Sequence, residues 1–457
     1  MKVLLISTPW DNNPAFSPPT DDESNYPLGL AYLKSYLESK GHEVCLEWLN
    51  NYPDIWLTVL SITLVPQSPD VVGFNMLTIN RVSTYKGIEY IHENFPNIKI
   101  VLGGIHATLM YRQILKKYPY VIVVRGEGEI TFGEILEGKP LKDIAGIAYY
   151  NGDDIATNSD RKLIENLDTL PFPDHTIFFE GTRTFANILT SRGCPNNCSF
   201  CCLNPISKHT VRFRSVENVI SEVEYLIQTF PQIDTIWIQD DSFFLNNNRV
   251  IRFCNEIIKR NIHIEFCCAG RVKPLSEETV LKLEEAGFKE VQLGLESGDA
   301  GVLAGCNKGI TLGDVTKAVQ LFATTDIVLT LYVIVGLPGE TEQSILNTAR
   351  FIQELQRIKY IHFWSVGTLM VFPGTEVYEL SKKAGTIDDD YWLTDLSVPY
   401  YIVDNPQGVT DRYRDILLSY IKMEKIFTLS GFIHQFFMIP HILRYNLKYN
   451  SRMKRLR

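Results

Sequence analysis

The chain has 457 residues, 45% of them hydrophobic and 21% charged, a globular composition with material for more than one core. Its formal net charge of −9 argues against general nucleic-acid binding, which needs a basic field. Nine cysteines over this length are too sparse for a disulfide framework and point to a reducing, cytoplasmic setting. No apolar run reaches the about 18 residues of a spanning helix, and the short start Val3–Ser7 reads as a strand rather than a signal peptide.

In chain order, "KVLLIS" is a short apolar run of the kind buried in a parallel sheet. "NYPLGLAYLKSYLESKGHEV" then places Leu30, Leu33 and Leu37 on one helical face, with Pro27 suited to the start and Gly41 to the end. Strand-like runs follow at "DVVGFNM", "KIVLGG" and "YVIVVRGEG", separated by helical or polar segments. This alternation predicts an α/β fold, a Rossmann-like doubly wound sheet over residues 1–145. "GIAYYNGDDIATN" reads as a small hairpin and "NLDTLPFPDH" as a proline-punctuated linker, together residues 146–183.

A second strand series occupies residues 184–395: "ANILTSRGC", "DTIWIQDD", "IHIEFCCAG", "EVQLGLES", "VLTLYVIVG" and "IHFWSVGTLM". Six β/α units predict a partial barrel whose chemistry belongs at the C-terminal strand ends. Between the third and fourth strands, Ser276 caps a helix that Gly287 stops. Residues 396–457 form a mainly helical extension whose end is aromatic and then basic, with Arg444, Lys448, Arg452, Lys454, Arg455 and Arg457. Pro440 interrupts its amphipathic run, which favours a helix packed on the barrel over an interfacial helix in peripheral contact with an anionic membrane.

"SRGCPNNCSFCC" sets Cys194, Cys198 and Cys201 at C-x3-C-x2-C on the loop after the first barrel strand. Structural zinc sites close with four ligands. Cys202 is adjacent to Cys201 and points away in extended chain, and Cys267 and Cys268 lie within a predicted strand as small core residues. A [4Fe–4S] cluster on three thiolates keeps one iron open for a ligand. Other polar residues fall at the remaining strand ends: Asp240 and Asp241, Arg271, Glu296 inside an apolar run, Lys308, and "VGLPGET" with Gly336 and Pro338.

Cys194-x3-Cys198-x-Phe200-Cys201 with this following order resembles the signature of the radical S-adenosylmethionine (SAM) enzymes. The resemblance implies that the open iron chelates the amino and carboxylate groups of SAM, and that an electron from the cluster yields a 5′-deoxyadenosyl radical. It implies polar contacts near the SAM amino group from Asp240 and Asp241, and a carboxylate contact from Arg271. Ribose hydroxyls would meet Glu296, Lys308 lies in the following loop, and Gly336 and Pro338 would approach adenine.

"PLGLAYLKSYLESKGHEV", "GFNMLT", "VLGGIHAT" and "VRGEGE", ahead of that barrel, resemble the cobalamin-binding domain of the B12-dependent members. There Asn75, Thr78, Gly103, Gly104, Gly126 and Glu127 would border the cofactor. The motif D-x-H-x-x-G is missing, since the chain reads Asp11-Asn12-Asn13-Pro14-Ala15-Phe16. This implies base-off cobalamin without a histidine beneath the metal, and His106 is read as a polar contact or a solvated residue. The implied activity is methylation of an unactivated carbon via methylcobalamin. Alternatives are a cyclase or oxidoreductase without net methyl transfer and, more distantly, a non-catalytic cofactor sensor. The expected partners are a small-molecule, lipid-like or peptide substrate and a reduced flavodoxin- or ferredoxin-type electron donor, with no nucleic acid.

Overall fold

The structure, a computed structural model, describes residues 1–11, 26–179, 183–362 and 366–427. The basic tail and the stretch Asn12–Phe16 therefore lie outside the described residues. Among the described residues no helix is long and apolar enough to cross a membrane.

The first sheet contains β1 (Lys2–Ser7), β2 (Glu43–Trp48), β3 (Val71–Asn75), β4 (Lys99–Gly103), β5 (Val121–Val124), β6 (Ile147–Tyr150) and β7 (Ile155–Thr157). Their order is β2-β1-β3-β4-β5-β6-β7, parallel through β5 and antiparallel after it. The nearly continuous apolar runs of β1, β3, β4 and β5 are buried along most of their length, which requires helices on both faces. The strand order reverses between β1 and β3, so a crevice opens beyond their carboxyl ends. Two features differ from the sequence reading. Glu43–Trp48 is a strand of its own at the sheet edge, where alternating burial replaces a continuous apolar run. The hairpin expected in the linker instead pairs with β5, Ile122 opposite Tyr149, and continues the sheet to Thr157 by covering an open edge.

The second sheet begins with β8 (Phe185–Ile188), after which the chain forms a separate short antiparallel pair, β9 (Ser191–Arg192) and β10 (Arg212–Phe213). It continues with β11 (Thr235–Ile238), β12 (Glu265–Gly270), β13 (Phe288–Glu296), β14 (Val328–Val335), β15 (Ile361–His362) and β16 (Val366–Thr368). All its pairings are parallel, in the order β15-β14-β13-β12-β11-β8 with β16 also beside β14, which is an open partial barrel. Its helices are amphipathic and capped. Ser215, Asn246, Ser276, Thr311 and Thr341 each accept a backbone N–H from three residues on, worth about 1 kcal/mol apiece.

The two sheets share one apolar core, and a buried polar chain joins them. The Tyr26 hydroxyl accepts from Asn187 N at 2.7 Å and bonds His175 Nδ1 at 2.8 Å. His175 Nε2 stands 3.4 Å from Glu222, whose other oxygen takes Arg214. Arg214 also donates to Leu189 O at 2.7 Å and to the Tyr32 hydroxyl at 3.1 Å. Burial alone would raise the Glu222 carboxyl, but the facing Arg214 and His175 outweigh it and hold it below its usual range. After the barrel the chain returns to the first sheet's helices. Arg81 donates to the carbonyls of Thr394 and Leu396, Gln113 Nε2 to Asp389 at 3.2 Å, and Trp392 is fully buried.

Glu222→Ala would leave Arg214 buried without its carboxylate and is expected to lower stability by about 3–5 kcal/mol, measured by urea unfolding. Because the folded pKa of Glu222 is depressed, the pair's contribution is complete at neutral pH and is lost as the pH falls below about 4.

Candidate active site between the two sheets

The cysteine loop rests on Asp240, the second residue after β11. Its carboxylate accepts from Thr190 N (2.6 Å), Thr190 Oγ1 (2.5 Å), Ser191 N (3.0 Å) and Ser191 Oγ (2.6 Å). Arg249 secures the same turn, donating to Thr190 Oγ1 at 3.0 Å and to Thr190 O at 2.8 Å. Asp241 accepts from Gly193 N at 2.8 Å. Gly193 has φ +94°, and a Cβ there would fall 2.1 Å from Thr210 O, so only glycine fits immediately before Cys194. The hydrogen bonds of Asp240 thus go to the loop rather than outward to the expected SAM amino group.

Cys194, Cys198 and Cys201 are half-buried free thiols. Asn196 Nδ2 donates to Cys194 Sγ at 3.2 Å, and Arg271 Nη1 to Cys198 Sγ at 3.5 Å. Burial raises the Cys201 thiol, and charge on Cys198 and Cys194 acts in the same direction, so the three sulfurs share one neighbourhood. A cavity of about 290 Å³ opens onto Cys198 and Cys201. Among the described residues no three Cys, His, Asp or Glu side chains are set around a single ion. A [4Fe–4S] cluster takes each thiolate on a different iron, and three protein thiolates are a ligand set that leaves its fourth iron open. Cys267 and Cys268 are buried in β12, and burial pushes both thiols well up, as befits core residues.

Arg271, Glu296 and Lys308 are brought together beside the cysteine loop. Arg271 donates to the Lys308 carbonyl, and the Lys308 ammonium pairs with Glu296 at the end of β13, all three nearly fully buried. Gly294 makes room for that pair, since a Cβ there would stand 2.2 Å from Lys308 Nζ and 2.3 Å from a Glu296 oxygen. Gly336, at φ +83°, donates its N–H to Glu340 at 2.5 Å, and burial pushes the Glu340 carboxyl up to about 7. Pro338 is half-buried in the same turn, and Phe200 packs against the apolar cluster that includes Leu369 and Val371.

A second cavity of about 340 Å³ lies at the carboxyl ends of the first sheet, floored by Leu5, Gly73 and Val101. Asn75, Gly103, Gly104, Gly126 and Glu127 line it on one side, and Ser191, Arg192 and Asp241 on the other. Added Cβ atoms on Gly103, Gly126 and Gly128 would meet nothing within 4 Å, so the rim is open to a broad ligand. An apolar floor under a glycine rim fits a large planar cofactor. Thr78 lies outside this lining, and its hydroxyl is 3.1 Å from His106 Nδ1. His106 is fully buried edge-on to Trp392, ring centroids 5.7 Å apart, and burial pushes it down to about 3. It is a polar contact and not a solvated residue.

Sequence reasoning missed Arg192. Its guanidinium bonds Glu127 at 3.0 Å and Glu129 at 2.8 Å, while Arg212 takes the other Glu127 oxygen at 2.9 Å. Arg192, two residues before Cys194, therefore ties the "GEGE" loop of the first sheet to the start of the cysteine loop. The available signal was a basic residue ahead of Gly-Cys facing an acid-rich loop.

The radical SAM superfamily pattern matches residues 188–352, and that of the B12 binding domain matches residues 22–136. An uncharacterized methyltransferase of Pyrococcus horikoshii is 28% identical over 462 residues, covering 97% of this chain and 97% of that protein. The anaerobic magnesium-protoporphyrin IX monomethyl ester cyclase of Rubrivivax gelatinosus is 30% identical over 376 residues, covering 78% of this chain and 66% of its own length. Among solved structures, the Kitasatospora setae radical SAM methyltransferase TsrM, with tryptophan and a SAM analogue bound, superposes with a TM-score of 0.70. Its identity is 19%, over 94% of this chain and 84% of that one. The chain belongs to the radical SAM enzymes that carry a cobalamin-binding domain. Its cofactors are accordingly a [4Fe–4S] cluster, SAM and cobalamin.

Asp240→Ala removes the common acceptor of four donors, a loss of about 1–3 kcal/mol for each that stays buried and unpaired. The expected result is a chain that loses iron and holds cobalt more weakly after reconstitution, read by metal analysis beside circular dichroism.

Proposed function

We propose that this chain is a cobalamin-dependent radical SAM methyltransferase acting at an unactivated carbon of a small-molecule substrate. One observation carries the reading. Ser191, Arg192 and Asp241 wall the cavity of the first sheet, and the next residues in the chain are Gly193 and Cys194. The wall of the first-sheet cavity thus leads directly into the cysteine loop. The methyltransferase relative that covers 97% of both chains supports the same reading.

When bound, the cluster and SAM supply a hydrogen-abstracting radical, and cobalamin supplies a methyl donor. Cys194, Cys198 and Cys201 would hold the cluster, with the Arg271 guanidinium 3.5 Å from Cys198 Sγ. Glu296 and Lys308, already oriented by each other, would take the SAM ribose hydroxyls, while the Gly336–Pro338 turn would bound adenine. Asp241 remains near the cysteine loop as a polar wall. Asn75, Gly103, Gly104, Gly126 and Glu127 would border cobalamin. Among the described lining residues none is a histidine, so none of them offers an imidazole to a cofactor there. A reduced flavodoxin- or ferredoxin-type protein would deliver electrons through the open cysteine face. The identity to the cyclase supports a second reading, ring closure without net methylation, although this chain spans 66% of that protein.

Anaerobic reconstitution with iron, sulfide and hydroxocobalamin is expected to give stoichiometric cobalt with a base-off spectrum. Methyl-labelled SAM should then label product, and turnover without label would favour ring closure. Cys198→Ala should abolish 5′-deoxyadenosine formation while cobalt stays bound. Glu296→Gln should raise the Kd for SAM by about tenfold, measured by equilibrium dialysis.

A further inference from the structure

The inner face of the partial barrel is polar where such faces are ordinarily filled with branched apolar side chains. Strand alternation sets the two faces. Ile236, Ile238, Val291, Leu293, Leu329 and Leu331 join the apolar core beneath the helices. Their neighbours Asn187, Trp237, Glu290, Gln292, Thr330 and Tyr332 therefore face inward. The register places Asn187 beside Trp237 and Gln292 beside Thr330, while Tyr332 pairs with Gly294. Lys308 and Glu296 stand directly over Gly294, so this polar face lies just below the pair assigned to SAM.

The inward groups form an ordered ladder. Gln292 Nε2 donates to Glu290 at 2.9 Å, Thr330 Oγ1 to the same oxygen at 3.0 Å, and the Tyr332 hydroxyl to Gln292 Oε1. Across the barrel Gln239 Nε2 donates to Asn187 Oδ1 at 3.2 Å. The amide nitrogen of Asn187 has no partner, although the residue is 1% exposed. A buried N–H without an acceptor is unfavourable unless something else supplies one. Trp237, Glu290 and Tyr332 are half-buried although they lie within the sheet, so this face has room beside it.

We infer that the barrel face is the substrate site of the proposed reaction, and that it takes a neutral polar molecule whose amide carbonyl accepts from Asn187 Nδ2. The Glu290 carboxylate disfavours an anionic group there and leaves one oxygen for a substrate N–H. Trp237 and Tyr332 supply flat walls. Lipid chains are excluded, because they would strand the amide and carboxylate groups of the ladder. The inference rests on the radical SAM reading for its location and adds the chemical class of the substrate.

The test uses the reconstituted holoenzyme with SAM and two probe sets under anaerobic conditions. One set is N-acetyl amino-acid N-methylamides, the other medium-chain fatty alcohols, with affinity read by equilibrium dialysis. The amides should bind more tightly than the alcohols. Asn187→Asp keeps the side-chain shape and the bond from Gln239 but replaces the donor by an acceptor. It should weaken the amides roughly tenfold, with iron and cobalt content as in the wild type. Should that variant fail to fold, Glu290→Gln, which keeps the ladder oxygen and turns the one left for the substrate N–H into a donor, carries the same expectation. Alcohols binding as tightly as amides, or amides binding the folded variant as they bind the wild type, would overturn the inference. Asn187-dependent amide binding without label transfer from methyl-labelled SAM would leave the site standing and remove the methyltransferase reading.

Discussion

Four hydrogen bonds converge on the carboxylate of Asp240, and both candidate cofactor sites depend on them. Thr190 and Ser191 contribute every donor, two from backbone and two from side chains, so a single group sets both the turn's path and its hydroxyl rotamers. Arg249 closes the arrangement from the opposite side. Such a carboxylate, buried beside an arginine and fully hydrogen-bonded, is a rigid anchor for irregular chain. The cysteine loop leaves from it in one direction, and a wall of the first-sheet cavity is built from the same residues. Fold and chemistry meet at a side chain whose own hydrogen bonds go to the turn ahead of the cysteines.

A second constraint is electrostatic. Glu127 and Glu129 enter from the first sheet, Arg192 and Arg212 from the short β9–β10 pair, and their pairing fixes that pair against the first sheet at the cavity wall. Fork-shaped guanidinium groups suit this task better than lysines would, since each fixes orientation as well as distance. Arg192 also lies over the Tyr32 ring, which shields it from water and strengthens its pairing. The polar chain from Tyr26 through His175 to Glu222 does the same work farther from the cofactors.

Much of this was legible in the chain. Continuous apolar runs announced β1, β3, β4 and β5, and the structure keeps the three spaced cysteines together as half-buried free thiols. Arg271, Glu296 and Lys308 were identifiable as strand-end polar residues, and the structure gathers them. What escaped were properties of register. Nothing local to Asp240 says that its acceptors serve Thr190 and Ser191, about fifty residues earlier. The edge strand Glu43–Trp48 lacks the apolar continuity that marks a buried strand. Thr78 was expected beside the cofactor because of its loop, yet its hydroxyl turns back to His106. The inner face of the barrel was hidden for the same reason. Gln292 is one polar letter in an apolar run until the pairing with Thr330 shows its company.

The return of the chain to the first sheet has a bearing on biosynthesis. Arg81 is completely buried, and its outer acceptors are carbonyls of Thr394 and Leu396, the latter 315 residues downstream. A first domain emerging from the ribosome would have to wait through the whole barrel before that guanidinium is covered, with Trp392 and Asp389 arriving at the same moment. Until then the helix Arg81–Asn94 carries a charge at its start that is still in water. Completion of the far end of the barrel is thus also the final step in closing the near domain. The two halves, separable on paper, mature as one object.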